Sequence, residues 1–178
     1  MRVLVWPWWL RLAHWSLAVA IVIALFTYHG GTVHETAGYT ALVVAVFRLI
    51  LGFVGPIEGR FSAFLRGPIA TLTYVKQLIV SRAPRYLNHT PLGAWMIVAL
   101  LAFSLAGGAS GAFYVTDRFW GEAWLIRVHA ICTWIFVGLI PLHVGGVVHA
   151  SWLHREHLIR AMLDGRKDEA TNNVSDRT

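Results

Sequence analysis

The sequence predicts an all-α integral membrane protein, a bundle of four spanning helices. Three observations carry this. Apolar residues make up 57% of the 178 positions and charged residues only 13%, against the ~25% charge of a soluble domain. Mean hydropathy is +0.58. Four apolar segments each reach the ~20 residues that a helix needs to cross a bilayer. The composition excludes a disordered chain, a collagen and an ordinary soluble enzyme. The segments are also far longer and more uniformly apolar than barrel strands.

The first span covers about 8–28. It opens on Trp6, Trp8 and Trp9, which suit an interfacial aromatic belt. With no small-residue cleavage site after it, it is read as a retained helix and not a leader. The second span covers about 34–54, the third about 92–115 and the fourth about 123–152. Residues 1–165 form the membrane domain, and 166–178 are expected to be a polar, flexible cytoplasmic tail.

Charge sets the expected orientation. Arg2, Arg11, Arg48, Arg60, Arg66, Lys76, Arg82, Arg85, Arg155, Arg160, Arg166, Lys167 and Arg177 fall on one side, and only Arg118 and Arg127 on the other. The positive-inside rule makes both termini cytoplasmic. The loop between spans two and three is long. Its stretch 68–80 places Ile69, Leu72, Val75, Leu78 and Ile79 at helical spacing. That pattern predicts a short amphipathic helix on the cytoplasmic face, or else a loop packed under the bundle.

The chain holds nine histidines, and ionisable groups inside a bilayer are costly unless they face the bundle interior for a reason. His14, His34, His129 and His143 lie within spans. His143 follows His129 by 14 residues. In a helix that is ~21 Å of depth and four turns less ~40°, so the two share one face. His34 matches His129 in depth near the outer surface, and His14 matches His143 near the inner surface. Two imidazoles facing each other across a bundle core are what a six-coordinate haem b requires. The sequence therefore predicts two haems, an outer one between His34 and His129 and an inner one between His14 and His143. With one cysteine, Cys132, no Cys-x-x-Cys-His attachment is available.

The surroundings agree. Gly38 lies one turn after His34 and leaves room for a macrocycle edge. Gly145, Gly146, Gly107, Gly108 and Gly111 supply further small residues, which also serve plain helix packing. Arg48 shares the His34 face ~21 Å further in and suits a propionate of the inner haem, or snorkels as an ordinary helix-end cation. Arg11 and Arg127 sit near the inner and outer pairs and suit the same role. Proton or metal-ion translocation and plain packing are the alternatives for the histidines. A metal path wants carboxylates, and Glu35 alone lies near. His89 reads as a capping or interfacial residue, His154 and His157 as interfacial, and Cys132 as packing.

The segments Arg11-Leu12-Ala13-His14-Trp15, His34-Glu35-Thr36-Ala37-Gly38, Phe47-Arg48-Leu49-Ile50, Asn88-His89-Thr90-Pro91-Leu92-Gly93-Ala94-Trp95-Met96, Val128-His129 and Leu142-His143-Val144-Gly145-Gly146 occur in that order. So do Arg60-Phe61-Ser62 with Arg66-Gly67-Pro68, and His154-Arg155-Glu156 with Leu158-Ile159-Arg160-Ala161-Met162. On these the chain resembles the bacterial di-haem cytochrome b-561 family, close to the membrane cytochrome b subunits of nickel-iron hydrogenases. The resemblance covers most of the chain. It implies four helices, two b-type haems with the same four histidines as axial ligands, and a place in the bacterial inner membrane. It further implies an electron-transfer subunit between the quinone pool and a redox partner, with quinone or quinol as substrate. The compact loop after span one and the short C-terminus differ from the hydrogenase subunits, so a c-type cytochrome is as good a partner as a hydrogenase-like enzyme. The rival readings are a His-based proton or metal-ion transporter, and a membrane anchor with one haem or none.

Overall fold

The computed structural model describes residues 2–80, 82–86 and 88–168. Four helices are long and apolar enough to cross a membrane: α1 (Trp8–Phe26), α2 (Thr32–Val54), α5 (Pro91–Tyr114) and α6 (Ala123–Leu153). Between α2 and α5 run a 3₁₀ turn (Ile57–Gly59) and two short helices, α3 (Phe61–Phe64) and α4 (Pro68–Ile79). After α6 come α7 (Leu158–Asp164) and a strand, β2 (Arg166–Asp168), which pairs with β1 (Arg2–Leu4).

Local chemistry sets the boundaries. Pro7 and Pro56 precede helical turns in extended backbone. The α1–α2 turn passes through Gly30 and Gly31 at φ 89° and 90°, a region that L side chains avoid. α5 starts at Pro91, where the missing N–H costs nothing. The Thr90 hydroxyl caps it, accepting from the Gly93 amide at 3.1 Å. α6 continues unbroken through Pro141.

The long helices pack in chain order, α1 on α2, α2 on α5 and α5 on α6. α2 buries Ala37, Ala41 and Ala45, a stripe of small side chains at four-residue spacing that permits close approach. Leu42 packs on Gly108 of α5, where a Cβ would stand 3.0 Å away. Among the described residues α6 makes its close long-helix contact with α5, and the faces of α1 and α2 opposite it are joined by side chains instead.

A second layer closes the end of the bundle that carries both chain ends. β1 and β2 are antiparallel, with Arg2 opposite Asp168, Val3 opposite Lys167 and Leu4 opposite Arg166. Val5, Trp6, Leu10 and Ala161 form its small core. Gly165 ends α7 at φ 80°, and its carbonyl accepts from the Val5 and Trp6 amides at 2.8 and 3.0 Å. Residues 166–168 thus differ from the flexible tail expected from their polarity: the strand pairing and the burial of Lys167 against Glu156 hold them. Residues 169–178 of that expected tail lie outside the described residues.

Candidate haem-ligating site

Two histidine pairs bridge α6 to the opposite side of the bundle. His34, in the first turn of α2, faces His129 of α6, with ring centroids 5.9 Å apart and planes at 74°. His14 of α1 faces His143 of α6, with centroids 6.5 Å apart and planes at 54°. All four are half-buried. A metal–imidazole bond is about 2 Å long, so two such bonds in line plus two half-rings come to about 6 Å. Both pairs fit one hexacoordinate metal between two rings. Among the described residues no group of three or more His, Cys, Asp or Glu could hold a metal ion. A bare ion would therefore lack ligands, whereas a macrocycle brings its own four nitrogens and needs only the axial two.

Outer-shell hydrogen bonds orient the outer pair. His34 Nδ1 lies 3.0 Å from the Ala24 carbonyl, which is among the last carbonyls of α1 and needs a donor from outside its helix. His129 Nδ1 lies 2.9 Å from the Gly107 carbonyl of α5. A carbonyl accepts only, so each Nδ1 carries the proton and donates, and each Nε2 keeps its lone pair for a metal. Each bond crosses to another helix, α2 to α1 and α6 to α5. At the inner pair the His14 ring meets Trp15 edge-on at 5.3 Å.

Glycines shape the space. A Cβ on Gly111 would stand 3.1 Å from Cε1 and Nδ1 of His129, so the ring lies directly on the bare backbone there. Gly38, Gly145 and Gly146 have nothing within 4 Å of a notional Cβ, which leaves open room beside His34 and His143. Sequence reasoning counted Gly111 as one small residue among several. Its contact with His129 has no local signal.

The basic residues expected near the pairs separate. Arg48 is half-buried, stands over the Phe61 ring at 5.2 Å, and keeps Nη1 buried without a hydrogen-bond partner. Phe61 is held there because its ring lies on Gly52, with no room for a Cβ between. Arg11 donates from Nη1 to the Leu163 carbonyl and so clamps α7, with Nε buried and unpartnered. Arg127 is exposed and donates to the Ala123 carbonyl of its own helix at 3.3 Å.

His89, which the sequence suggests is a capping or interfacial residue, is instead enclosed by aromatic rings. The capping is done by Thr90 instead. His89 lies between the rings of Trp6 at 4.6 Å and Phe64 at 4.5 Å. Its Nδ1 is buried without a partner. Burial first, and then the positive charges of Arg48 and Lys167, push its pKa down to about 3. His29, His149 and His157 are exposed, and His154 and His157 gain no third ligand among the described residues.

No curated protein and no solved structure matches the chain. The family model described as prokaryotic cytochrome b561 matches residues 5–165, a stretch that takes in all four long helices. The chain belongs to the prokaryotic cytochrome b561 family, membrane b-type cytochromes that bind haem and take part in electron transfer.

Proposed function

We propose that the chain is a di-haem b-type cytochrome that carries single electrons across the bacterial inner membrane, between the quinone pool and a redox partner. The observation that carries this is the stacking of two facing histidine pairs along α6, with rings 5.9 and 6.5 Å apart. Their separation along the helix is about 21 Å, most of the ~30 Å hydrocarbon core. Haem supplies the one-electron chemistry; the protein supplies ligands, a low-dielectric sheath and charge compensation.

In this reading His34 and His129 hold the outer haem and His14 and His143 the inner one. The Ala24 and Gly107 carbonyls fix the outer imidazoles with Nε2 toward the metal. Gly38 leaves room for the outer macrocycle's edge. Arg48 offers an unpaired guanidinium to an inner propionate, and Arg11 and Arg127 add positive charge near the inner and outer pairs. The basic end faces the cytoplasm by the positive-inside rule, so both termini do. α4 lies on that surface as an amphipathic helix, with Ile69, Leu72 and Ile79 exposed and Tyr74 buried. Quinone or quinol is the substrate on one side, which makes the chain a quinone oxidoreductase subunit. A c-type cytochrome or a hydrogenase-like enzyme is the partner on the other.

A reduced-minus-oxidised visible spectrum with a pyridine haemochrome count tests this. Two low-spin b-type haems per chain are expected. A colourless protein would overturn the reading and leave a transporter, and one haem per chain would leave an anchor.

A further inference from the structure

Among the described residues, the end of the bundle nearest His14 and His143 carries buried nitrogen groups that lack a hydrogen-bond partner. Glu156 is engaged twice, by Arg85 and by Lys167 at 3.5 Å. Among the described residues Arg48 has no such partner, and its Nη1 is buried and unbonded. His89 is clamped between Trp6 and Phe64 with Nδ1 buried and unbonded. The two are linked by an aromatic run: Arg48 stands over Phe61, Phe61 meets Phe64 at 5.9 Å, and Phe64 meets His89 at 4.5 Å. The cations that act on His89 are Arg48 and Lys167. Two unsatisfied buried groups, near enough for the charge of one to act on the other, are costly unless an acceptor joins them. An anion with two acceptor oxygens answers both.

We propose that His89 and Arg48 form a carboxylate pocket that takes a propionate of the haem held by His14 and His143. The proposal rests on the reading of that pair as axial ligands. His89 is then a positioning residue: it donates Nδ1–H to the propionate and never touches the iron. The aromatic clamp keeps its ring from turning to solvent. Neutralising the propionate's charge favours the reduced haem, because reduction adds a negative charge to the site. A lipid phosphate is the other source of a suitable anion. A quinol head group in the neighbouring cavity, about 260 Å³ and lined by Ala63, Phe64, Arg66, Tyr86, Asn88 and His89, is the competing occupant.

The test is a spectroelectrochemical titration of the purified full-length protein, with the inner haem's wave assigned by its loss in His14→Ala. In His89→Leu the inner haem should become about tenfold harder to reduce, a fall of about 59 mV for one electron. The outer wave should not move. His89→Gln, which keeps an N–H donor, should restore most of the potential, and Arg48→Gln should shift it in the same direction as His89→Leu. Protein loaded with haem dimethyl ester removes the carboxylates, and there His89→Leu and wild type should coincide. An unmoved inner wave in His89→Leu overturns the proposal. So does a difference that persists with the ester, which would point to a lipid phosphate. A raised KM for quinol with unchanged potentials overturns it in favour of the quinol occupant. Should His89→Leu not fold, His89→Gln and Arg48→Gln carry the test. Fewer than two haems in the wild-type protein would instead overturn the reading beneath it.

Discussion

Replacing Gly111 with alanine should disturb the proposed outer haem site at a modest cost in stability. The new Cβ would stand 3.1 Å from Cε1 and Nδ1 of His129, a few tenths of an ångström inside ordinary contact. The ring has little freedom to yield, because Nδ1 is bonded to the Gly107 carbonyl at 2.9 Å. Backing away lengthens that bond or turns the ring. Overpacking of this kind costs about 1–3 kcal/mol, and a weakened hydrogen bond up to about 1 more. The substitution also gains about 1 kcal/mol of helix propensity in α5. Net stability should therefore fall by about 0–3 kcal/mol, whereas the geometry of one proposed axial ligand changes outright. Gly107 is the matched control. Its Cβ would meet Cys132 Cβ at 3.5 Å, ordinary contact, and its carbonyl is retained in Gly107→Ala. The assay is haem content and a redox titration of both variants beside a thermal melt. Gly111→Ala should retain less outer haem, about five- to tenfold weaker in affinity for a 1–1.4 kcal/mol loss, and Gly107→Ala should not. Indistinguishable haem contents and potentials in the two would refute the placement of His129 against the bare backbone of α5.

Other perturbations separate the parts. His34→Ala should remove the outer haem alone and His14→Ala the inner haem alone, read by haemochrome count; loss of both in either variant would show that the pairs are not independent. Gly165→Ala should loosen the terminal layer by about 2 kcal/mol or more, since φ is 80° and a Cβ would meet the Trp6 carbonyl at 2.5 Å; faster proteolysis at the N-terminus reports it. In haem-free protein, where no propionate meets it, His89 should make the fold acid-sensitive. Its pKa is depressed from 6.5 to about 3 by burial first and by Arg48, Lys167 and His143 after, so the unfolded chain binds the extra proton. Stability is then full above 6.5 and falls as pH drops toward 3, by about 5 kcal/mol at most. Unfolding of wild type and His89→Gln across that range checks it, and equal slopes would count against a neutral buried His89.

How much of this was legible in the sequence depends on the range of the contact concerned. The four spans needed only hydropathy and length, and α1, α2, α5 and α6 begin and end within two residues of the expected spans. The 14-residue step from His129 to His143 needed only the helical repeat, and it leaves their rings opposite those of His34 and His14. What could not be read depends on the bundle closing. The Ala24 carbonyl is one of many along α1, and only the turn through Gly30 and Gly31 brings His34 back onto it. Gly107, Gly108 and Gly111 look alike in the chain, yet they meet Cys132, Leu42 and His129 in turn. Polarity made Arg166 and Lys167 look like tail, because the strand they complete is with Arg2–Leu4 at the far end of the sequence. That same closure puts Trp6 against His89 and Lys167 near enough to act on it. A histidine beside a helix cap becomes a buried, unpartnered group only once Arg2–Leu4 and Arg166–Asp168 have paired near it. The facing histidines are thus set by local periodicity, and the groups packed around them by long-range packing. Substitutions in the terminal layer should for that reason alter the inner site without touching a ligand.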